Sequence, residues 1–234
     1  MNVTRRGFIA SAGISLLALS GCSGGARSGS GAQSTGEKKP SISNDPVDLE
    51  IVESGYSISD AGYVMYGIAI KNPNDSFMAQ FPPFNITGRA EDGSIVFNDE
   101  QVCNAIYPGE TIYYGFQAGD GVAPATVEFS LQKPNWEKEG KLDGDMFSIA
   151  NTSEVDNGYG MMSFTGEVST NVDLEAESYT QVAMTVITRD DSGAINYGMT
   201  NFVDVPEKGQ SIPFDVSAYS VPVHASYELH AQLW

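Results

Sequence analysis

The feature that most constrains this chain is an internal repeat of about 100 residues. Asp60-Ala61-Gly62-Tyr63 recurs as Asp156-Asn157-Gly158-Tyr159, and Gly67 with Asn72 recurs as Gly166 with Asn171. The turn Asp92-Gly93-Ser94-Ile95 recurs as Ser192-Gly193-Ala194-Ile195. Gly93 and Gly109 are separated by 16 residues, as are Gly193 and Gly209, and an aromatic follows five residues later in each copy, Tyr114 and Phe214. Ala125, Glu128 and Phe129 then match Ala225, Glu228 and Leu229 at an offset of 100. A period this long is a domain's worth of chain. It predicts two copies of one fold, 46–134 and 145–234, joined by a linker over 135–144 whose Trp136 is expected to pack between the domains.

Each copy reads as strands. Tyr63 to Ile70, Phe84 to Ala90, Thr111 to Phe116 and Thr126 to Leu131 alternate or cluster β-branched and aromatic residues, the pattern of chains that lie on a pleated, half-buried surface. Asn72-Pro73-Asn74-Asp75, Glu91-Asp92-Gly93 and Pro108-Gly109 supply turn formers between them. No segment keeps helical spacing over three turns. The expected fold class is all-β, two tandem β-sandwiches.

The paired positions Gly67/Asn72 and Gly166/Asn171, a strand running into an acidic-Gly turn, and Pro108-Gly109-Glu110 or Lys208-Gly209-Gln210 resemble the immunoglobulin-like FxLYD domains, which are common in bacterial lipoproteins. The resemblance covers both halves. It implies immunoglobulin-like sandwiches acting as a non-catalytic extracellular module without a defined ligand.

The first 22 residues have the parts of an export signal: Arg5 and Arg6, an uncharged run from Phe8 to Leu19, and a small-residue site ending at Cys22. The run is too short to be read as a permanent span, which needs about 20 apolar residues. Thr4-Arg5-Arg6-Gly7-Phe8-Ile9 resembles the twin-arginine export motif, and Leu19-Ser20-Gly21-Cys22 resembles the lipobox of bacterial lipoproteins. Residues 1–21 are therefore expected to be a lipoprotein signal peptide. That resemblance implies a lipid on Cys22, whose two acyl chains anchor stably where one would not. The Ser/Gly-rich stretch 22–45 cannot bury enough apolar surface to fold and is expected to be a tether. The expected location is extracytoplasmic, lipid-anchored to the cell membrane.

The formal charge is −18 at pH 7, and removal of Arg5 and Arg6 with the signal deepens it by two. A surface this acidic repels nucleic acid and anionic head groups, which excludes nucleic acid as a partner. The lipid bilayer, through Cys22, and an envelope protein or glycan are the expected partners. With Cys22 lipidated, Cys103 is the second and last cysteine, so no intramolecular disulfide is available. Cys103, beside Val102 and without a local histidine, reads as a packed residue. His224 and His230, six residues apart on the expected last strand, would lie about 20 Å apart, too far to share a metal. Asp173, Glu175, Glu177, Asp190 and Asp191 are the acidic positions to inspect for a calcium site, although a cation needs six to eight convergent oxygens and no EF-hand spacing is present. No cofactor is implied and no enzyme is expected. The function read from the sequence is a membrane-anchored interaction or structural module, with a small-ligand or cation-binding lipoprotein as the alternative.

Overall fold

Alternating side chains and closely spaced turn formers produce strands wherever the sequence led us to expect them. The computed structural model describes residues 45–142, 144–174 and 181–234. The expected signal peptide with Arg5 and Arg6, the lipidation candidate Cys22 and almost all of the expected tether lie outside the described residues. In the first half the strands are β1 Glu50–Ile58, β2 Val64–Lys71, β3 Phe77–Gln80, β4 Pro83–Arg89, β5 Ile95–Val102, β6 Ala105–Ile106, β7 Thr111–Ala118, β8 Thr126–Leu131 and β9 Asn135–Lys138. In the second they are β10 Phe147–Gly158, β11 Met161–Thr170, β12 Gln181–Arg189, β13 Ile195–Asp204, β14 Ser211–Tyr219 and β15 Ser226–Leu233. The described chain is all-β, without a helix, built from small antiparallel sheets.

Sheet order repeats between the halves. The first half has sheets β1-β2-β7 and β5-β4-β8; the second has β10-β11-β14 and β13-β12-β15. A further sheet, β6-β3-β9, completes the first half. It overturns the expected linker, because residues 135–138 pair with β3 and place Trp136 opposite Ala79, against the first core. An aromatic that does bridge the halves is Trp234, stacked on Tyr114 of the first at 5.8 Å and tilted against Phe202 of the second at 5.1 Å.

Two apolar cores follow from the alternation. Tyr66, Ile68, Ile70, Phe84, Ile86, Ile112 and Tyr114 fill the first, between β1-β2-β7 and β5-β4-β8. Phe164, Val168, Val182, Met184, Val186, Phe214 and Val216 fill the second, between β10-β11-β14 and β13-β12-β15. Each large side chain contributes about 1.5–3 kcal/mol by leaving water.

The 100-residue offset is visible bond by bond in the β4–β5 and β12–β13 hairpins. Ala90 N–H donates to Ser94 O and Asp190 N–H to Ala194 O, and the turns close through Gly93 at φ 83° and Gly193 at φ 82°. One part of the sequence alignment is out of register. Gly109 N–H donates to Asn72 O and Gly209 N–H to Thr170 O, which makes Thr170 the counterpart of Asn72. Gly67 accordingly stands opposite Gly115, whereas Gly166 stands opposite Phe214. Matching Gly67 with Gly166 slips one residue, and in a strand that slip exchanges the two faces.

The slip matters because the outer face of β1-β2-β7 is covered. β13 lies across it, and all described residues belong to one compact unit. Four of the five sheets stack in layers, with β1-β2-β7 and β13-β12-β15 in the middle. β2 is consequently buried on both faces over Val64–Ile70.

Candidate functional sites: a clamped junction, a cleft and a bare loop end

The acidic candidates do not converge. Asp173 is exposed and ion-paired to Lys208 at 2.6 Å, beside the turn that precedes β14. Asp190 follows the last residue of β12, at the other end of a nine-residue strand on the order of 26 Å long. Its Oδ1 already accepts from the Ser192 N–H and hydroxyl and from the Ala194 N–H, and the Ser192 hydroxyl leads in holding the carboxyl below its usual range. Asp191 is exposed next to it. Glu175 and Glu177 lie outside the described residues. Among the described residues no group of three or more His, Cys, Asp and Glu is placed to hold a metal ion.

The histidines are separated as well, though not as two positions of one strand. β15 begins at Ser226, so His224 sits in the preceding loop. There its Nε2 lies 3.0 Å from Glu154 and its Nδ1 2.9 Å from Pro222 O. Cys103 is buried in the first core, and burial pushes its thiol up to about 12, which leaves no thiolate for nucleophilic chemistry near neutral pH.

The junction is built on a row of glycines. Gly55 of β1, Gly67 of β2 and Gly115 of β7 stand side by side across three hydrogen-bonded strands. With no side chains there, the backbone of β13 settles onto the sheet. A Cβ on Gly198 would lie 2.7 Å from Tyr66 O and 2.8 Å from Gly67 Cα, and a Cβ on Gly115 would run into the Gly198 backbone. Thr200 and Thr185 are paired there: the Thr200 hydroxyl accepts from Gly115 N–H at 3.2 Å and shares a 2.8 Å bond with the Thr185 hydroxyl.

Arg189 closes one side of this junction. Its two terminal nitrogens each lie 2.7 Å from an oxygen of Glu53, from the first half, and its Nε lies 2.7 Å from Glu228 on the neighbouring strand. Hydrogen bonds from Arg189 hold both glutamates below the usual carboxylate range. Next to them His230 stacks on Tyr113 at 3.7 Å and 10°, and burial lowers the pKa of its imidazole. The signal for this clamp was present in the repeat, since Glu128 and Glu228 match at 100 residues. The third partner, Glu53, is 136 residues from Arg189, and no local pattern connects them.

A cleft of about 700 Å³ opens beside the junction, lined by Tyr107, Glu110 and Tyr113 from the first half, by Lys141 and Phe147, and by Leu229 to Leu233 on β15. Burial raises the Glu110 carboxyl above its usual range, although its Oε2 accepts the Tyr107 N–H at 2.8 Å.

At the other end of β1 the loops behave differently. The Gly158-Tyr159-Gly160 turn projects with open space around both glycines, and Tyr159 is fully exposed. Tyr159 and Ser220 both take left-handed backbone, φ 56°, and Ser220 N–H donates to Gly160 O at 3.1 Å. Tyr219 and Val223 are exposed beside them. Sequence reasoning noted the Asp-x-Gly-Tyr motif here only as a repeat marker. That the second copy would be uncovered depends on tertiary packing.

The chain matches no family model and no curated protein.

Proposed function

We propose that this chain is a lipid-anchored extracytoplasmic protein of the cell envelope, in which two tandem immunoglobulin-like sandwiches, fused face to face, serve as a binding module and not as an enzyme. The carrying observation is the sequence Leu19-Ser20-Gly21-Cys22 at the end of a short uncharged run, followed by a Ser/Gly-rich stretch and then by an all-β body. The matching sheet orders support the tandem reading. The family reading rests on the resemblance to FxLYD domains, the acidic-Gly turns included.

The anchoring is tested by Cys22→Ala, which is expected to release the protein from membranes, abolish acyl labelling and leave the signal uncleaved. Unchanged membrane retention with the same acyl labelling overturns it. Replacing Arg5 and Arg6 together by lysine is expected to stop export if the twin-arginine route carries it. Undiminished export assigns the general secretory route.

The cleft favours a second reading, a small-ligand-binding lipoprotein. Tyrosine faces, the half-buried Glu110 and the Lys141 amine surround a volume within the usual range for small ligands. Under this reading Thr111→Trp, which places a large ring in the cleft from an exposed lining position, abolishes thermal stabilisation by a ligand; a stabilisation that survives the filled cleft removes it.

A further inference from the structure

The end of the molecule away from the chain's entry point carries apolar and aromatic groups that the fold does not use. Residue 47 is fixed at the entry side, where Val47 N–H donates to Asn74 Oδ1 at 2.7 Å. β1 then runs nine residues, roughly 30 Å, to the loop that follows Ile58. Ser59 and Asp60 of that loop share a surface depression with Tyr159, Tyr219 and Ser220 of the second half. Tyr159, Tyr219 and Val223 are all exposed there.

The repeat provides an internal control. In the first half the equivalent loop, 59–63, is packed: a Cβ on Gly62 would collide with Gly121 O, and Tyr63 lies over Gly121. In the second half, segment 157–161, Gly158 and Gly160 meet nothing, and Tyr159, which by the strand register stands where the first half has Ala61, is held out in a backbone conformation that L-residues rarely adopt. Side chains exposed in this way on strained loops mark binding surfaces more often than structural ones.

Charge selects the occupant. Segments 58–63, 119–124, 154–160 and 219–225 contain no lysine or arginine but include Asp60, Asp120 and Asp156, all exposed. Among the nearby cations, Arg89 is held by Glu128 and Arg189 by Glu53 and Glu228. A second copy of this chain, a nucleic acid or an anionic lipid surface would meet like charge. A basic polypeptide meets the opposite sign, and its lysine or arginine heads gain further from tyrosine faces.

We propose that this loop end, with Tyr159, Tyr219 and Val223 set among Asp60, Asp120 and Asp156, docks a polypeptide segment that combines basic and apolar side chains. The proposal rests on the binding-module reading and names its site and partner chemistry. Val223 receives an apolar side chain of the partner; the tyrosine rings receive its cations.

The test uses the full-length protein in uncharged detergent micelles and a labelled 12-residue peptide of alternating arginine and leucine, with an aspartate-leucine peptide as control, read by fluorescence anisotropy. Binding of the basic peptide is expected to weaken at least tenfold in Tyr159→Ser/Val223→Ser and about threefold in Asp156→Asn. It should change less than twofold in Asp204→Asn/Glu207→Gln, which neutralises two exposed carboxylates at the opposite end of the second half. Because Tyr159 packs on nothing, an unchanged melting curve is expected for the first variant. Equal weakening by both double variants, which reveals diffuse charge attraction, overturns the proposal, as does an absence of binding or a Tyr159-dependent uptake of an uncharged oligosaccharide in its place. Envelope crosslinking separates the two levels. A pattern unchanged by Tyr159→Ser/Val223→Ser overturns the loop-end proposal and leaves the binding-module reading standing, whereas no crosslinked partner for the wild-type protein counts against that reading itself.

Discussion

The same row of three positions is Gly55, Gly67 and Gly115 in the first half and Ser153, Thr165 and Asp215 in the second. The first row is roofed by β13, and the second faces outward, with Ser153 and Asp215 exposed. Other equivalent positions follow the same rule. Ile95 is 59% exposed and its counterpart Ile195 6%; Asn98 sits on the surface where Gly198 sits in the junction. Arg89 holds one glutamate, Arg189 holds two, and their side-chain exposures are 34% and 15%. Two copies of one strand order thus differ where one copy lies on the other, and the differences are those that close backbone approach and burial require.

The comparison breaks most severely at the glycine row. Gly115→Ala places a Cβ against backbone, which cannot rotate away, and is expected to cost about 3 kcal/mol, read as a lower urea midpoint. The equivalent Asp215→Ala, on the open face, should stay within about 0.5 kcal/mol. Equal effects would show that the junction is not what requires glycine.

The arginines give the next largest contrast. Arg189→Met leaves Glu53 and Glu228 without their shared cation and is expected to cost about 1–2 kcal/mol, a figure reduced from that for a fully buried pair because both carboxylates reach water. Arg89→Met breaks a surface pair and should cost no more than about 0.5 kcal/mol. Chemical denaturation of the two variants side by side measures the difference.

Acid sharpens it further. Glu53 and Glu228 have folded-state pKa values below 4.5, so their stabilisation is fully present above that pH and is lost as the pH falls through the lower folded values. His230 is depressed from 6.5, so the folded state resists its protonation and loses stability as the pH drops below 6.5. Unfolding midpoints should therefore decline from pH 6.5 downward and more steeply below 4.5. The steeper stage should be weakened in Arg189→Met. A flat profile in the wild-type protein would remove the clamp from the account of stability.

The smallest effect concerns Glu110, whose counterpart in the second half is Gln210. The folded state raises this carboxyl above 4.5, so its ionisation costs stability above that pH, the opposite sense to Glu53. Glu110→Gln keeps an acceptor for Tyr107 N–H and copies the other half. It should stabilise by about 0.5 kcal/mol at pH 7 and leave stability at pH 3.5 unchanged.

Most strands were legible because one-sided burial writes period-two alternation into the sequence, as in Pro83–Arg89, and because turn formers separate them. The roofed strands were harder. β2 is buried on both faces, so its run Val64–Ile70 gives no alternation by which to fix the faces, and the glycines that admit β13 have the composition of breakers. That ambiguity led to the match of Gly67 with Gly166. Short strands such as Ala105–Ile106 and Asn135–Lys138 carry too few residues for any period, so 135–144 read as a linker. At the sites, the acidic residues were easily seen but do not converge. The Arg189 clamp joins residues far apart in sequence, and the bareness of Tyr159 is a property of what fails to cover it.

The double covering of β2 also bears on how the chain opens and closes. Its backbone amides are enclosed by β1 and β7 along both edges and by a core on one face and β13 on the other. Solvent reaches them only after β13, more than 100 residues away in sequence, has left. The amide protons of Val64–Ile70 should therefore exchange only through global unfolding. Since so distant a pairing must form before the middle of the first half is closed to water, that half should be the slower of the two to mature during refolding.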